Sequence, residues 1–256
     1  NDDVGGQLTV EHLGKDRFDA GPSVCTLSNL IEELTDISRI KDLKFEYLSL
    51  DTICHYFYED GTRLTAYTDK EKFAAEVQSK LGETKASVYE QLKYSATAYE
   101  LTRDIFMNQS LHRLSNFLNL KTAKAILNIG KLKMNKTMHE LNSTRFKNPK
   151  TVQLFNRFAT YNGSNPYQAP AIINIIAHLE HNIGAFAPKG GMHDITTHLY
   201  ELSIRLGVEY NMNTSVLQIK TENDVAKSVM TDKGEIAADI IVSDADIKHV
   251  YGKLLD

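Results

Sequence analysis

The sequence predicts a mixed α/β (α+β) fold in which short β-containing ends flank a long middle section made of an antiparallel sheet and helices. Two β-rich runs, 52–58 and 63–67, surround the turn residues 59–62 and are typical of a hairpin. Helical periodicity then runs almost unbroken from 84 to 145, and strands dominate again after residue 207. With 256 residues and 42% hydrophobic content, the chain is long enough to bury a sizeable core.

The first part of the chain is predicted to alternate short strands with one helix. Residues 7–10 and 15–19 are predicted to form a small hairpin, and residues 45–50 a further strand. A helix is predicted over 27–37, with Ser28 or Asn29 as its cap. Its apolar residues recur at helical spacing: Leu30, Ile31, Leu34 and Ile37.

The middle of the chain is predicted to be mostly helical. A helix begins at Thr68 or Asp69 and repeats apolar residues every four positions: Phe73, Val77 and Leu81. The helices between 84 and 145 are predicted to break near Asn108, Asn119 and Gly130. This stretch is predicted to be an inserted helical lobe.

Three further segments complete the middle section. A helix is predicted over 149–158, because proline favours a first helical turn, and 161–170 is a polar connection. Residues 171–179 are apolar enough to predict a helix that its neighbours bury on all sides.

The last section is predicted to return to strands. Residues 185–188 form a strand, Gly190 and Gly191 a turn, and the next helix ends at Gly207. The apolar stripe of that helix is Ile195, Leu199, Leu202 and Leu206. Four strands are then predicted, over residues 208–210, 216–220, 226–231 and 235–242.

Composition argues against several classes of protein. Cys25 and Cys54 are too few for a disulfide framework or a cysteine-rich zinc site, which favours a reducing compartment. The nine histidines form no metal-ligand pattern, and His178 and His181, three apart, are expected to lie at a surface or pocket. No apolar run approaches the ~20 residues of a membrane-spanning helix, and the first residues do not resemble a signal peptide. A soluble or peripheral protein without a bound metal is expected.

Charge is divided unevenly along the chain. Residues 110–150 hold nine basic residues against one acidic residue, Glu140, whereas the whole chain has a net charge of −4. The block therefore carries about +8 and the remainder about −12. A basic helical block on an acidic body predicts an anionic partner, either lipid headgroups or nucleic acid.

A membrane surface is the favoured partner of this block. Aromatic residues are sparse there, with only Phe117 and Phe146, and no nucleic-acid-binding motif occurs, so no nucleic acid is expected. Two helical faces are apolar and have cations around them: Leu111, Leu114, Phe117 and Leu118, and Ala123, Ile126, Leu127 and Gly130. These faces predict peripheral docking on an anionic membrane through residues 110–150, at the cytoplasmic, inner face of the plasma membrane.

Paired glycines occur where a backbone passes close to another group. Gly5 and Gly6 precede a β-rich run, as a chain beside a bound pyrophosphate requires, and Gly21-Pro22 fixes a turn that a Cβ would obstruct. Further short segments with glycine, proline and small polar residues follow in a specific order along the chain. They are Val4-Gly5-Gly6 with Thr9, residues 18–23, Asn165-Pro166-Tyr167 with Ala169-Pro170, residues 188–192, Thr214-Ser215-Val216, and residues 238–246.

Together, these segments resemble the bacterial-type carotenoid (phytoene) desaturases, which are grouped more distantly with amine oxidases. The resemblance extends over nearly the whole chain. Residues 154–167 are most similar to the carotenoid 3,4-desaturases that act on 1-hydroxylated acyclic ends. The resemblance implies FAD-dependent oxidation, in which a hydride passes from a carotenoid substrate to the flavin, a proton is lost, and a conjugated double bond forms.

The resemblance also implies a set of FAD-binding residues and three domains. Gly5 and Gly6 match the pyrophosphate-side turn, and Val216 the residue whose backbone meets the adenine. The remaining matches lie near the flavin: Gly21, Pro22, Ser23, Lys189, Gly190 and Gly191. The implied domains are a partial FAD-binding segment (1–24), a substrate-binding domain (25–187) with a basic helical insert at about 70–150, and a second FAD-binding part (188–256).

The sequence departs from the family pattern at several points. It has no Gly-x-Gly, so the phosphate-cradling turn is not present, and Gln7 stands where the family usually has Arg or Lys. The family also has a ribose-binding acid before position 1 and a stretch after position 256 that completes the FAD site. The chain is therefore expected to be a fragment or part of a longer protein.

Several functional alternatives stay open. No proton acceptor is assigned, because the sequence has no carboxylate pair or Ser-His-Asp arrangement. Eight residues could line a substrate tunnel or have ordinary buried or capping roles: Tyr47, Tyr56, Phe57, Tyr58, Tyr161, Asn162, His178 and His181. The alternative functions are a phytoene desaturase, a carotenoid isomerase, or a truncated non-catalytic protein that binds lipid or nucleic acid through its basic block.

Overall fold

The computed structural model describes residues 3–106 and 127–255, together with residues 113, 115 and 122. In these parts of the chain, the strands form three two-stranded antiparallel pairs and one three-stranded sheet, and helices lie between them. The mixed fold predicted from the sequence is confirmed.

The amino-terminal hairpin is confirmed. Its strands are β1 (Thr9–Leu13) and β2 (Asp16–Ala20), which begin one or two residues later than predicted. The short strand β3 (Tyr47–Ser49) pairs with β6 (Phe186–Pro188), far away in sequence. The segment after β6 also reaches the start of the chain, because the Met192 amide donates to the Asp19 carboxylate.

The second hairpin and the helix after it match the prediction closely. Strands β4 (Thr52–Phe57) and β5 (Arg63–Tyr67) pair antiparallel, and helix α2 (Lys70–Leu81) packs on β5. The Asp69 carboxylate accepts a 2.8 Å hydrogen bond from the Lys72 amide, which caps α2. Before this hairpin, helix α1 spans Asn29–Ser38, as expected.

Three more helices form the centre of the molecule with α2. They are α3 (Lys85–Phe106), α4 (Met138–Arg145) and α5 (Pro149–Asn156). Thr137 and Glu140 form a capping box at the start of α4, and Asn148 caps α5. The predicted breaks near Asn108 and Asn119 fall outside the described residues, and the one near Gly130 is a 3₁₀ turn, Ile129–Leu132. The largest buried core lies here, around Phe73, Phe155 and Phe158.

The predicted buried helix at 171–179 is longer than expected and only half apolar on its inner side. After a 3₁₀ turn at Arg157–Asn162, helical turns cover Ala171–Ile175, Ile176–His178 and Leu179–Ile183 with changing pitch. The most buried residues are three apart: Ala171, Asn174, Ala177 and Glu180. The isoleucines at 172, 173, 175 and 176 are half-buried, so the prediction of full coverage is wrong. Polar residues occupy the inner face because they find buried partners there.

Helix α6 spans His193–Arg205 and a three-stranded meander follows it. Its strands are β7 (Val216–Glu222), β8 (Val225–Thr231) and β9 (Gly234–Ala237). The prediction of a strand at 208–210 is wrong. The Val208 amide instead donates to the Ser203 carbonyl (3.0 Å) and extends the end of α6. Strand β9 ends five residues earlier than predicted. The last helical turns are Ile247–His249 and Val250–Leu254.

Three further results concern the described residues. None of their helices is both long and apolar enough to cross a membrane. They contain no cluster of three or more potential metal ligands. Both cysteines are free.

Candidate functional site

Two glycine-bearing segments meet at the amino end of α6. The Met192 amide donates a 3.0 Å hydrogen bond to the Asp19 carboxylate of β2, and Arg17 lies 3.4 Å from the same side chain. Gly191 has φ +90°, and a Cβ there would clash with Arg17 and Asp19. The positive φ favours glycine here, and a Cβ would displace the Arg17 and Asp19 side chains from the turn. We name residues 5–6, 17–21 and 190–194 the glycine junction.

The glycines at 5, 21 and 190 also permit close contacts within the protein. A Cβ at Gly21 (φ +129°) would clash with the Gln7 carbonyl, and one at Gly5 (φ +115°) would lie 2.8 Å from the Leu8 carbonyl oxygen. The Gly190 amide donates to the Asp194 carboxylate at 2.7 Å, which would itself clash with a Cβ. These glycines thus fix the shape of the junction.

Gly6 differs from the other four glycines of the junction. It has φ +56°, and nothing lies within 4 Å of the position of a Cβ. Pro22 and Ser23 are also exposed. The exposed positions at this side are therefore Gly6 in the junction and Pro22 and Ser23 directly after it.

The other two predicted site residues lie in different surroundings. The Lys189 ammonium forms a 3.0 Å ion pair with Glu46, and both side chains are exposed. Val216 begins β7 in the separate three-stranded sheet and pairs with Thr231. The structure brings together Gly5, Gly21, Gly190 and Gly191, and Val216 lies outside this group.

A second group of polar side chains lies in the core. Both Glu180 carboxylate oxygens accept hydrogen bonds from the Arg157 guanidinium, at 2.9 and 3.1 Å, and Tyr161 donates to the same carboxylate. Glu180 is only 1% exposed. The guanidinium also lies over the Tyr56 ring, 5.6 Å from its centroid. We name these four residues with His181 the Arg157 cluster.

His181 is fully buried in this cluster. Its ring stacks on Phe73, with centroids 4.2 Å apart, and neither ring nitrogen makes a hydrogen bond of normal geometry. Burial lowers its pKa to about 3 and outweighs the opposing effect of the Tyr67 backbone. Burial likewise raises the pKa of Tyr56 and of Tyr161. His181 is therefore a neutral core residue.

Arg157 and Glu180 were not predicted from the sequence as a site. Tyr56, Tyr161 and His181 were predicted only to line a tunnel or to fill ordinary buried positions, with no partner assigned. Phe57, in contrast, is 70% exposed, so alternation along β4 points it away from the core. A useful signal was available, because Glu180 continues the three-residue spacing of small and polar residues at 171, 174 and 177.

Comparison with known proteins identifies the family. Residues 1–255 match the flavin containing amine oxidoreductases. The chain belongs to this family. A 1-hydroxycarotenoid 3,4-desaturase of Flavobacterium sp. (strain P99-3) is 41% identical over 255 residues, which are 100% of this chain and 52% of that protein. A 4,4'-diapolycopene oxygenase of Methylomonas sp is 28% identical over 258 residues, covering 100% of this chain and 51% of that protein.

A solved structure supports the same fold. Putrescine oxidase bound to putrescine matches with a TM-score of 0.61 at 13% identity, over 100% of this chain and 53% of that chain. This likeness concerns the fold alone. The present chain spans about half the length of the curated relatives that it matches.

Membership of this flavin-containing family supports FAD as the cofactor. The glycine junction fits such a group at one point, the left-handed turn at Gly6. Nothing lies within 4 Å of the position that a Cβ of Gly6 would take, so the Gly6 backbone is accessible to a ligand. The amides of Gly190 and Met192 are different, because carboxylates of the protein already accept their hydrogen bonds.

Proposed function

We propose that the protein containing this chain is an FAD-dependent carotenoid desaturase that introduces a 3,4 double bond into a 1-hydroxylated acyclic end. The observation that carries this proposal is the 41% identity to a 1-hydroxycarotenoid 3,4-desaturase over the whole chain. The 4,4'-diapolycopene oxygenase is 28% identical over the same range. When bound, FAD supplies the acceptor for the hydride that leaves the substrate.

The glycine junction is the proposed flavin side of this chain. Gly5 and Gly6 would meet the pyrophosphate, and the Val216 backbone would meet the adenine. The residues proposed near the flavin are Gly21, Pro22, Ser23, Lys189, Gly190 and Gly191. Support comes from the packing of 5–6 and 17–21 against 190–194. Residues 1–24 and 188–256 would then form one FAD-binding domain, and 25–187 the substrate-binding domain.

A test of this function uses the full-length purified protein. We expect its extract to contain FAD, and incubation with an acyclic 1-hydroxycarotenoid to give a product that has lost two hydrogens. A product that has gained oxygen would instead favour the chemistry named for the oxygenase relatives. Protein without flavin and without turnover would contradict the proposal.

Docking on an anionic membrane through residues 110–150 is proposed as the route by which the apolar substrate reaches the enzyme. Among the described residues of this block, apolar side chains next to Lys131 and Lys133 are exposed. Leu127 is 85% exposed, Ile129 55% and Met134 48%. Apolar side chains among cations are what an interfacial helix presents to lipid.

Charge reversal tests this docking. Changing Lys124, Lys131, Lys133 and Lys136 to Glu should release the full-length protein from anionic vesicles at low salt, because each cation contributes about 1 kcal/mol near such a surface. Co-sedimentation measures the effect, with reversal of Lys220, Lys227, Lys233 and Lys248, which lie outside the block, as the matched control. Equal retention of both variants would contradict the proposal, and so would tighter binding of the wild type to duplex DNA.

A further inference from the structure

A basic pocket of about 610 Å³ lies between α3, the 3₁₀ turn at Ile129–Leu132 and the end of α4. It shares no residue with the glycine junction or with the Arg157 cluster. Its charged lining residues are four cations and one acid: Lys93, Lys131, Lys133, Arg145 and Glu90. This excess of positive charge favours an anionic ligand.

Arg145 differs from the three lysines of the pocket, because its side chain is partly buried and theirs are exposed. Its guanidinium donates to the Gln91 side-chain oxygen and lies over the Tyr94 ring, 4.4 Å from the centroid. Burial lowers the pKa of Arg145 from its ordinary value, although the guanidinium keeps its charge. Partial burial of this charge costs free energy, which an anionic partner would offset.

Arg145 lacks an acidic partner in the described part of the chain. No described carboxylate oxygen, including those of Glu90, lies within 4.0 Å of its guanidinium. Residues 107–126, most of which lie outside the described residues, contain no Asp or Glu, so they supply no counter-charge. The charge of Arg145 is therefore available to a ligand.

Buried hydrogen bonds hold Arg145 in its position. Asn174 directs its nitrogen to the Ala171 carbonyl (3.1 Å), so its oxygen accepts from the Gln91 nitrogen (2.8 Å). The Gln91 oxygen consequently faces Arg145, which can only donate. Gln91 and Asn174 are fully buried. The guanidinium is thus oriented before a ligand binds, which lowers the entropic cost of binding.

Tyr94 holds the turn that bears two of the lysines. Its buried hydroxyl donates to the Leu132 carbonyl at 2.8 Å. Burial raises the pKa of Tyr94 to about 12, so the hydroxyl keeps the proton that it donates. The contact connects the turn to α3, and Lys131 and Lys133 therefore line the same pocket as Arg145.

Exposed apolar side chains accompany these cations along the turn. Leu127 lines the pocket itself, and Ile129 and Met134 are next to the lysines in sequence. A phospholipid offers both matching parts, since its phosphate is anionic and its acyl chains are apolar. Inorganic phosphate offers only the first part.

We propose that this pocket binds the phosphate group of an anionic phospholipid, with Arg145 donating to the phosphate oxygens. Gln91 accepts from one nitrogen of the guanidinium, which has further N–H donors for a phosphate. The lysines add positive charge, and the exposed apolar residues contact the acyl chains. The inference rests on the proposed docking on an anionic membrane and deepens it, because it assigns one lipid to one pocket.

Arg145→Gln is the most informative variant. The full-length holoenzyme is titrated calorimetrically with dihexanoyl phosphatidylglycerol, below the concentration at which this lipid forms micelles. We expect the Kd to rise about 10- to 100-fold, the effect of losing a charged hydrogen bond. Arg63→Gln is the matched control, because Arg63 is exposed and also lies over an aromatic ring, 5.5 Å from the Phe57 centroid. Its Kd should stay within about twofold of wild type.

A second variant leaves the buried hydrogen bonds intact. Lys131→Gln combined with Lys133→Gln changes exposed side chains, and we expect the Kd to rise about 5- to 30-fold. The charge-matched control is Lys227→Gln combined with Lys248→Gln, which lie outside the pocket and should leave the Kd unchanged. Wild-type affinity in both pocket variants would overturn the inference.

Two comparisons identify the source of the phosphate and separate this inference from the docking proposal. Inorganic phosphate alone should bind at least about tenfold more weakly than the lipid, because it has no apolar part. Equal affinities would show a site for free phosphate and contradict a lipid site. A wild-type protein that sediments with phosphatidylglycerol vesicles but does not bind the short-chain lipid would overturn this inference alone. One that does neither would overturn the docking proposal as well.

Discussion

The glycine junction and the Arg157 cluster connect distant parts of the chain by different means. At the junction, backbone turns with positive φ and single hydrogen bonds hold a partly exposed hairpin against α6. In the cluster, a buried ion pair and stacked rings hold helical turns against β4 and α2. The first region depends on the shape of the backbone and the second on side-chain chemistry. The two regions should therefore respond differently to mutation.

Removal of the buried carboxylate should have the largest effect on stability. Glu180→Ala leaves the Arg157 guanidinium without its counter-charge and Tyr161 without an acceptor, so we expect about 3 to 4 kcal/mol less free energy of unfolding. Urea denaturation of the full-length protein measures the change. Glu46→Ala is the matched control, because it breaks the exposed ion pair with Lys189 and should cost less than about 1 kcal/mol. Equal losses in the two variants would show that burial of the pair is unimportant.

A bulky residue at the junction should have a smaller effect on stability and an additional effect on flavin content. Gly191→Val introduces a β-branched side chain at φ +90° against Arg17, which should cost about 2 to 3 kcal/mol and lower flavin occupancy. Gly14→Val is the control, since it has φ +66° in the β1–β2 turn with open space around it. The flavin content of the purified full-length variants is measured from their absorption. A Gly191→Val protein with full flavin and wild-type activity would remove this turn from the proposed site.

His181 gives the smallest predicted effect, and one that depends on pH. Its pKa is about 3 in the folded protein and 6.5 ordinarily, so below pH 6.5 protons bind to the unfolded chain first. Stability is therefore complete above pH 6.5 and is lost as the pH falls toward 3, by about 2 kcal/mol between pH 7 and pH 5.

His181→Phe tests this pH effect, because it keeps the stack on Phe73 and removes the titrating group. Urea midpoints of the variant and the wild type should diverge as the pH is lowered, with the variant more stable at pH 5. His55→Phe serves as the control, since His55 is exposed on β4. Parallel curves for His181→Phe and the wild type would contradict a neutral buried His181.

The local elements of this protein could be predicted from its sequence, whereas their long-range partners could not. Helix α2 follows from a capping residue and a four-residue apolar repeat, and the β4–β5 hairpin follows from its turn. These signals act between residues close in sequence. The pairing of β3 with β6 joins segments about 140 residues apart, and no local pattern specifies it.

The candidate site was predicted unevenly for the same reason. Glycine pairs and turns are legible in a sequence, because a positive φ restricts the residue type, so Gly5, Gly21 and Gly191 could be named. Arg157 and Glu180 were missed because an Arg or Glu in a sequence is normally a surface residue, and only the tertiary structure brings these two together.

The most direct test of the proposed function follows hydrogen atoms from substrate to product. The full-length holoenzyme is incubated with an acyclic 1-hydroxycarotenoid carrying two deuterium atoms on each of C3 and C4, and the product is analysed by mass spectrometry. We expect loss of one deuterium atom from each of the two carbons, a longer conjugated system and no added oxygen. Retention of all four deuterium atoms, or a product that contains a new oxygen atom, would contradict the proposed function.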